Sequence, residues 1–301
     1  MHTTPLASSS SLGSMVGSEV YFKCENLQKT GSFKVRGAFN TLLSLTDDEK
    51  ARGVVCYSSG NHAQAVAYAS SVLGIRSQLF MPENAIAAKV NACKAYGGSI
   101  TSYGKTGSEA HAKALEYMQT SNSTYIDPVE DPRIMAGQGT IGLEILQDLP
   151  GVDTIYVPVG GGGLISEISA AIKALSPKTT VIGVEPEHMN CMGASFSAGR
   201  ITTIPSRYSI ADGLAGTAPG EKAFAEVMDN VDEMVTVSDE EIATALTLIV
   251  TYTKMLIEPS AAVSFAGLLL KKTSGKNVCI LSGGNANLHV IADIFSQHTE
   301  V

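Results

Sequence analysis

Lys34 lies in Gly31-Ser32-Phe33-Lys34-Val35-Arg36-Gly37, a glycine- and serine-rich turn that opens a helix. The partial positive charge of a helix N-terminus disfavours a second cation, so an amine there loses its proton more readily than one on an open surface. A neutral lysine adds to aldehydes, which makes Schiff-base chemistry with a carbonyl cofactor one use for this residue; a solvated lysine in a polar turn is the other. Three more clusters of small polar residues follow apolar, β-branched runs: Ser58-Ser59-Gly60-Asn61-His62, Gly160-Gly161-Gly162-Gly163-Leu164 and Ser282-Gly283-Gly284-Asn285. Each reads as a strand-to-helix turn.

Without β-carbons, the turn Gly160 to Gly163 lets several backbone N–H groups converge on one anion at a helix N-terminus, and a phosphate is the matching guest. A tight turn with no ligand uses the same residues. The chain has neither a Walker lysine nor an acid spaced for a ribose, which weakens nucleotide readings. The turn Ser58 to His62 offers free N–H groups of the kind that hold a carboxylate, and Asn61 suits either a side-chain contact to a ligand or an N-cap.

These turns need a scaffold, and its pattern is regular. Strands are expected at Gly53–Tyr57, Ser77–Met81, Ser99–Tyr103, Thr154–Val159, Thr180–Glu185, Glu233–Val237 and Asn277–Leu281. Helices are expected at Ala63–Leu73, Ala87–Tyr96, Ser108–Thr120, Ile134–Leu149, Leu164–Leu175, Asp239–Thr253, Ser260–Lys272 and Leu288–Phe295. The alternation predicts an α/β protein with mostly parallel sheets, whose ligands sit beyond the carboxyl ends of the strands, where all four turns fall.

Taken in order, the motifs resemble the fold-type II pyridoxal-phosphate enzymes and, within them, the serine/threonine dehydratase (threonine ammonia-lyase) and serine racemase group. The resemblance begins at Thr4-Pro5-Leu6, runs through Lys23-Cys24-Glu25-Asn26-Leu27-Gln28-Lys29-Thr30-Gly31-Ser32-Phe33-Lys34 and ends in the Ser282 turn. It implies two lobes of open, twisted, mostly parallel sheets with helices on both faces, as in the β subunit of tryptophan synthase. Residues 1–43 and 132–301 would form a large cofactor-binding lobe and residues 44–131 a small substrate-side lobe. Pyridoxal 5'-phosphate is the implied cofactor: Lys34 forms the Schiff base, and Gly160, Gly161, Gly162, Gly163 and Leu164 make the phosphate cup. Phe33 packs on the ring, Asn61 meets the ring hydroxyl, Gly213 in Ala211-Asp212-Gly213-Leu214 lies near the imine, and Ser282 bonds the ring nitrogen. Ser58, Ser59, Gly60, Asn61 and His62 would hold the substrate. Ser59 occupies the face opposite Lys34, where serine racemases carry serine and many threonine dehydratases carry alanine.

The implied activity is β-elimination of water from L-threonine or L-serine, giving a 2-oxo acid and ammonia, with Lys34 and Ser59 as catalytic residues. A neutral hydroxyl at Ser282 stabilises a pyridinium less than a carboxylate does, which favours elimination over transamination. Serine racemisation through Ser59, β-replacement, and noncatalytic binding of cofactor or amino acid are the alternatives. Glu185 matches a carboxylate that binds a divalent cation in racemase-like members, but Cys191 stands where the second carboxylate is expected, so no metal is expected. Members devoted to isoleucine synthesis carry a C-terminal regulatory domain, whereas the present sequence stops a turn or two after the helical pattern Leu288–Phe295, so feedback by isoleucine is not expected.

A net charge of −8 and the absence of a lysine/arginine cluster exclude a nucleic-acid footprint, leaving a small hydroxy amino acid as the expected partner. Five cysteines without metal or disulfide spacing, no secretory pattern at the N-terminus and no apolar run of about 18 residues predict a cytoplasmic protein outside the membrane. The family is commonly dimeric or tetrameric, so a homodimer or homotetramer is expected.

Overall fold

Among the described residues, 1–297 of this computed structural model, ten strands form two sheets. Residues 298–301, the end of the expected large lobe, lie outside the described residues. The strands are β1 (Leu6–Ser8), β2 (Glu19–Cys24), β3 (Val54–Tyr57), β4 (Ser77–Met81), β5 (Ser99–Ser102), β6 (Thr124–Tyr125), β7 (Thr154–Pro158), β8 (Thr180–Pro186), β9 (Glu233–Val237) and β10 (Lys276–Leu281). All seven strands expected from the sequence are present to within one residue, and the α/β class holds. By its internal contacts the chain divides into one unit of residues 32–137 with Met1, and another of residues 2–31 with those from 138 onward.

In the first unit the sheet order is β5-β4-β3-β6 and every pairing is parallel. Parallel neighbours need crossovers, supplied by the helices Asn61–Leu73, Ala87–Ala95 and Gly107–Ser121. The helix Lys34–Leu43, which the expected boundary at residue 44 assigns to the large lobe, packs on Asn61–Leu73 in this unit. Its buried Val35, Ala38 and Leu42 complete one core with Val54, Val66 and Leu79. Complete burial of a leucine such as Leu42 contributes roughly 2 kcal/mol.

In the second unit the order is β1-β2-β10-β7-β8-β9, with only β1 antiparallel to its neighbour. Every residue of β7 is buried, as are all but the first of β10 and of β8, the continuous apolar run of strands covered on both faces. The helix Pro259–Lys271 packs on this sheet and brings Phe265 edge-on to Phe22, ring centroids 5.4 Å apart. Ser238 and Glu241 form a capping box that starts the helix Asp239–Thr253 where the periodicity places it.

Candidate active site

The candidate residues fall in both units. In the first, Lys34 is the opening residue of its helix, and Phe33 at the cap position makes no side-chain cap. The Lys34 amine donates to the Pro128 carbonyl at 3.1 Å and sits 5.1 Å from the centroid of the Phe33 ring. Burial pulls this amine down from the ordinary lysine range to about 8, against the opposing pull of the Asp127 charge. Burial is thus the larger cause of the lowering that the sequence argument ascribes to the helix N-terminus.

The turn after β3 is tied by its own residues. Ser58 Oγ accepts from the Gly60 N–H at 3.1 Å, so that amide is engaged locally, whereas the first turn of Asn61–Leu73 has no side-chain cap. Gly60 holds the cap position and Asn61 follows as the first helical residue, which removes the N-cap use of Asn61. Ser59 is exposed. His62 is buried; its Nε2 lies 3.0 Å from the Ile126 carbonyl and donates to it, leaving Nδ1 buried without a hydrogen-bond partner. Burial and then the Lys34 charge pull the imidazole down to about 4, against its bond to Ile126 and the charge of Asp127. The ring is therefore neutral near pH 7.

In the second unit the glycine turn leaves β7 and enters the helix Ile165–Leu175, whose cap residue Leu164 contributes no side-chain bond. A β-carbon on Gly160 would stand 3.0 Å from the Leu214 carbonyl oxygen. One on Gly162 would stand 2.4 Å from Met192 Cε and 3.0 Å from Ala223 Cβ, and Gly162 also has φ +96°. Glycine is required there by both backbone and packing. Gly213 donates to Ser260 Oγ at 2.9 Å, and its neighbour Leu214 is the residue that lies against Gly160. Ser282, 4% exposed, directly follows β10.

The Ser282 turn is also locked to the turn that leads into Lys34. Asn285 Nδ2 donates to the Thr30 carbonyl at 2.8 Å, and Gly284 N–H donates to the Gly31 carbonyl at 2.9 Å. Thr30 and Gly31 both have positive φ, 62° and 69°. A β-carbon on Gly31 would meet Asn285 Oδ1 at 2.7 Å.

Glu185 is fully buried, and its two oxygens accept from the N–H groups of Met192 at 2.9 Å and Gly193 at 2.6 Å. Burial pushes its carboxyl up to about 8, more than these two bonds pull it down. The carboxylate that resembles a metal ligand is spent on the start of the helix Cys191–Ala198. A groove of about 330 Å³, lined by Arg52, Arg76, Ser77 and Ser99 among others, opens at the amino ends of β3, β4 and β5. It lies at the opposite strand ends from Ser58 to His62 and takes no part in the candidate site.

Two residues that touch the lysine's environment escaped the sequence reading, Asp127 and Pro128. An Asp-Pro pair marks a turn, but nothing in its spelling says which amine the turn will meet.

A family model described as pyridoxal-phosphate dependent enzyme matches residues 1–284. The L-threonine ammonia-lyase of Thermotoga maritima is 44% identical over 299 residues, covering 99% of this chain and 75% of that protein. Among solved structures, the processed form of threonine deaminase isoform 2 from Solanum lycopersicum superposes with a TM-score of 0.96 at 34% identity, covering 100% of this chain and 89% of that one. Maize serine racemase superposes with a TM-score of 0.91 at 36% identity, covering 99% and 93%.

Proposed function

The chain belongs to the family of pyridoxal-phosphate dependent enzymes, and on that premise we propose that it is an ammonia-lyase that eliminates water from L-threonine or L-serine, giving a 2-oxo acid and ammonia. The observation that carries this reading is Lys34: a half-buried residue whose amine is drawn down to about 8 and whose hydrogen bond goes to the backbone carbonyl of Pro128. Such an amine is part neutral at physiological pH and serves both to join an aldehyde and to take a proton. The 44% identity to a threonine ammonia-lyase over almost the whole chain supports the same reaction class.

The residues present suit the cofactor. The glycine turn carries four consecutive residues without side chains into the start of a helix, and β-carbons on Gly160 and Gly162 would collide with Leu214, Met192 and Ala223, so the turn keeps its path only as glycine. When bound, pyridoxal phosphate supplies an aldehyde for the amine and a ring that draws electrons from the substrate carbon. Lys34 would hold the aldehyde, Gly160 to Gly163 and Leu164 the phosphate, Asn61 the ring hydroxyl and Ser282 the ring nitrogen, with Phe33 and Gly213 beside the ring.

Lys34, once free, would act as the base for the substrate Cα proton. N–H groups in Ser58 to His62 would hold the substrate carboxylate; those opening the helix Asn61–Leu73 are the ones without a side-chain cap. Ser282 offers a neutral hydroxyl, which favours departure of the β-hydroxyl over transamination.

Racemisation of serine is a second reading, favoured by Ser59: the residue is exposed, and the cap position of the following helix is held by Gly60. A hydroxyl there would serve as acid on the second face of the substrate carbon. Five free, buried cysteines support a reducing compartment and hence the cytoplasm. The family resemblance supports a homodimer or homotetramer.

The test is the purified, pyridoxal-phosphate-loaded protein incubated with L-threonine and L-serine, scored for oxo acid and ammonia, with chiral analysis of the remaining serine. Stoichiometric ammonia and oxo acid are expected. A spectral change on adding threonine without oxo acid would leave a binding protein and remove the lyase.

A further inference from the structure

The segment Ile126-Asp127-Pro128, directly after β6, serves two site residues with consecutive groups of its own backbone. The Ile126 carbonyl accepts from His62 Nε2 at 3.0 Å and the Pro128 carbonyl accepts from the Lys34 amine at 3.1 Å. Between them, Asp127 turns its side chain back on the chain: Oδ1 accepts from the Val129 N–H at 2.8 Å and from the Glu130 N–H at 2.7 Å. This is an Asx turn, in which a side-chain acceptor fixes the next peptides. Pro128 in the middle adds a fixed φ and has no N–H to spend. The direction of the carbonyl that meets the amine is therefore set by the Asp127 side chain.

We propose that Asp127 is a positioning residue for Lys34: its turn aims the Pro128 carbonyl at the amine, giving the side chain a fixed resting place. The proposal rests on the reading of Lys34 as the residue that takes the cofactor. A lysine that alternates between holding an aldehyde and carrying a proton needs a defined position whenever it is free, and Pro128 supplies an acceptor for it without a competing charge in direct contact.

The other titratable groups around this amine do not supply that charge. His62 faces Lys34 from the helix Asn61–Leu73 and is neutral near pH 7. Tyr125, on β6 beside Asp127, is pushed well above the ordinary tyrosine range by burial and then by the Asp127 charge, so it too is neutral. Glu130 shares the turn and makes interactions of its own. Asp127 is the charge that acts on Lys34, and it opposes the effect of burial.

Two variants separate the turn from the charge. Asp127→Asn keeps an acceptor for both amides and deletes the charge; Asp127→Ala deletes both. In the full chain freed of cofactor, the rate at which Lys34 is acetylated by a trace of acetic anhydride is followed against pH by mass spectrometry of its peptide. Wild type should titrate near 8. Both variants should titrate about one pH unit lower, since an opposite charge has been removed. The rate plateau at high pH should be unchanged in Asp127→Asn and rise about fivefold in Asp127→Ala, where the amine is no longer held by a bond of ordinary strength. Equal plateaus in the two variants overturn the proposal. Acetylation needs no turnover, so failure here leaves the lyase reading to its own product assay, and failure of that assay leaves this measurement standing.

Discussion

Gly162 and Gly151 both stand at positive φ, +96° and +73°, but only Gly162 is crowded: a β-carbon on Gly151 would meet nothing within 4 Å. Alanine at either position therefore bears the left-handed backbone cost of about 1–2 kcal/mol. At Gly162 it also bears an overpacking cost of about 1–3 kcal/mol. The terminal methyl of Met192 can swing aside, whereas Ala223 has no side-chain torsion to yield, so a difference near 2 kcal/mol is expected between Gly162→Ala and Gly151→Ala. At roughly 2–4 °C per kcal/mol for a domain of this order of size, the melting midpoint of Gly162→Ala should lie about 4–8 °C below that of Gly151→Ala. Thermal unfolding followed by circular dichroism, with the cofactor removed, reads that gap. The same pair then tests the phosphate cup. Displacing one N–H from a charged phosphate costs about 1.5–3 kcal/mol, so Gly162→Ala should bind pyridoxal phosphate about 10- to 100-fold more weakly and Gly151→Ala as wild type. Equal melting midpoints would refute the packing argument, and equal affinities would remove Gly162 from the cup.

Lys34→Ala should abolish the absorbance of the lysine–cofactor adduct and lower oxo-acid formation by about 10²- to 10⁴-fold; turnover within tenfold of wild type would take the amine out of the reaction. Ser59→Ala should remove D-serine formation while oxo acid persists within about threefold, and parallel loss of both products would make Ser59 a substrate-binding residue instead. His62 is drawn down to about 4 from an ordinary 6.5, so the unfolded chain binds the extra proton between those values. Its contribution to stability is fully present above pH 6.5 and is lost as pH falls through 4. The urea midpoint of His62→Gln should consequently fall less than that of wild type between pH 6.5 and 4.

The elements legible in the sequence were those whose signals are local. β7 and β10 announce themselves as short apolar runs ended by glycine, because strands covered on both faces have no polar side to interrupt the run. β1, β2 and β6 give no such signal. β1 is a three-residue edge strand and β6 has two residues, too short for any period to register, and β2 carries Lys23 as a buried residue inside its run. That lysine is tolerated because Glu144 and Asp148 reach it at 2.8 and 3.4 Å and the Thr4 carbonyl accepts from it at 2.8 Å. All three partners are remote in the chain, so the residue reads as surface until they are in place.

The candidate site divides along the same line. Four turns with the right residue types could be named from their spelling, and crowding gives a packing reason for glycine at Gly160 and Gly162 in one of them and at Gly213 outside them. What spelling cannot carry is the state of a charge. The helix-end argument for Lys34 has the right direction and the wrong main cause, since the amine's range is set by how much chain buries it and by an aspartate whose neighbour Pro128 lies 94 residues on. Glu185 is the converse case: a carboxylate of the type and position that resembles a metal ligand has both oxygens claimed by Met192 and Gly193 amides that become neighbours only when the helix Cys191–Ala198 forms. Residue type sets what a side chain is able to do, and the partners that folding delivers set which of those things it does. Half-buried Lys34 and fully buried Glu185 are both brought to about 8 by burial, yet one donates to a backbone carbonyl and the other accepts two backbone amides. The lysine's amine keeps a lone pair when neutral and so remains available for chemistry, whereas the glutamate's acceptors are already engaged in starting a helix.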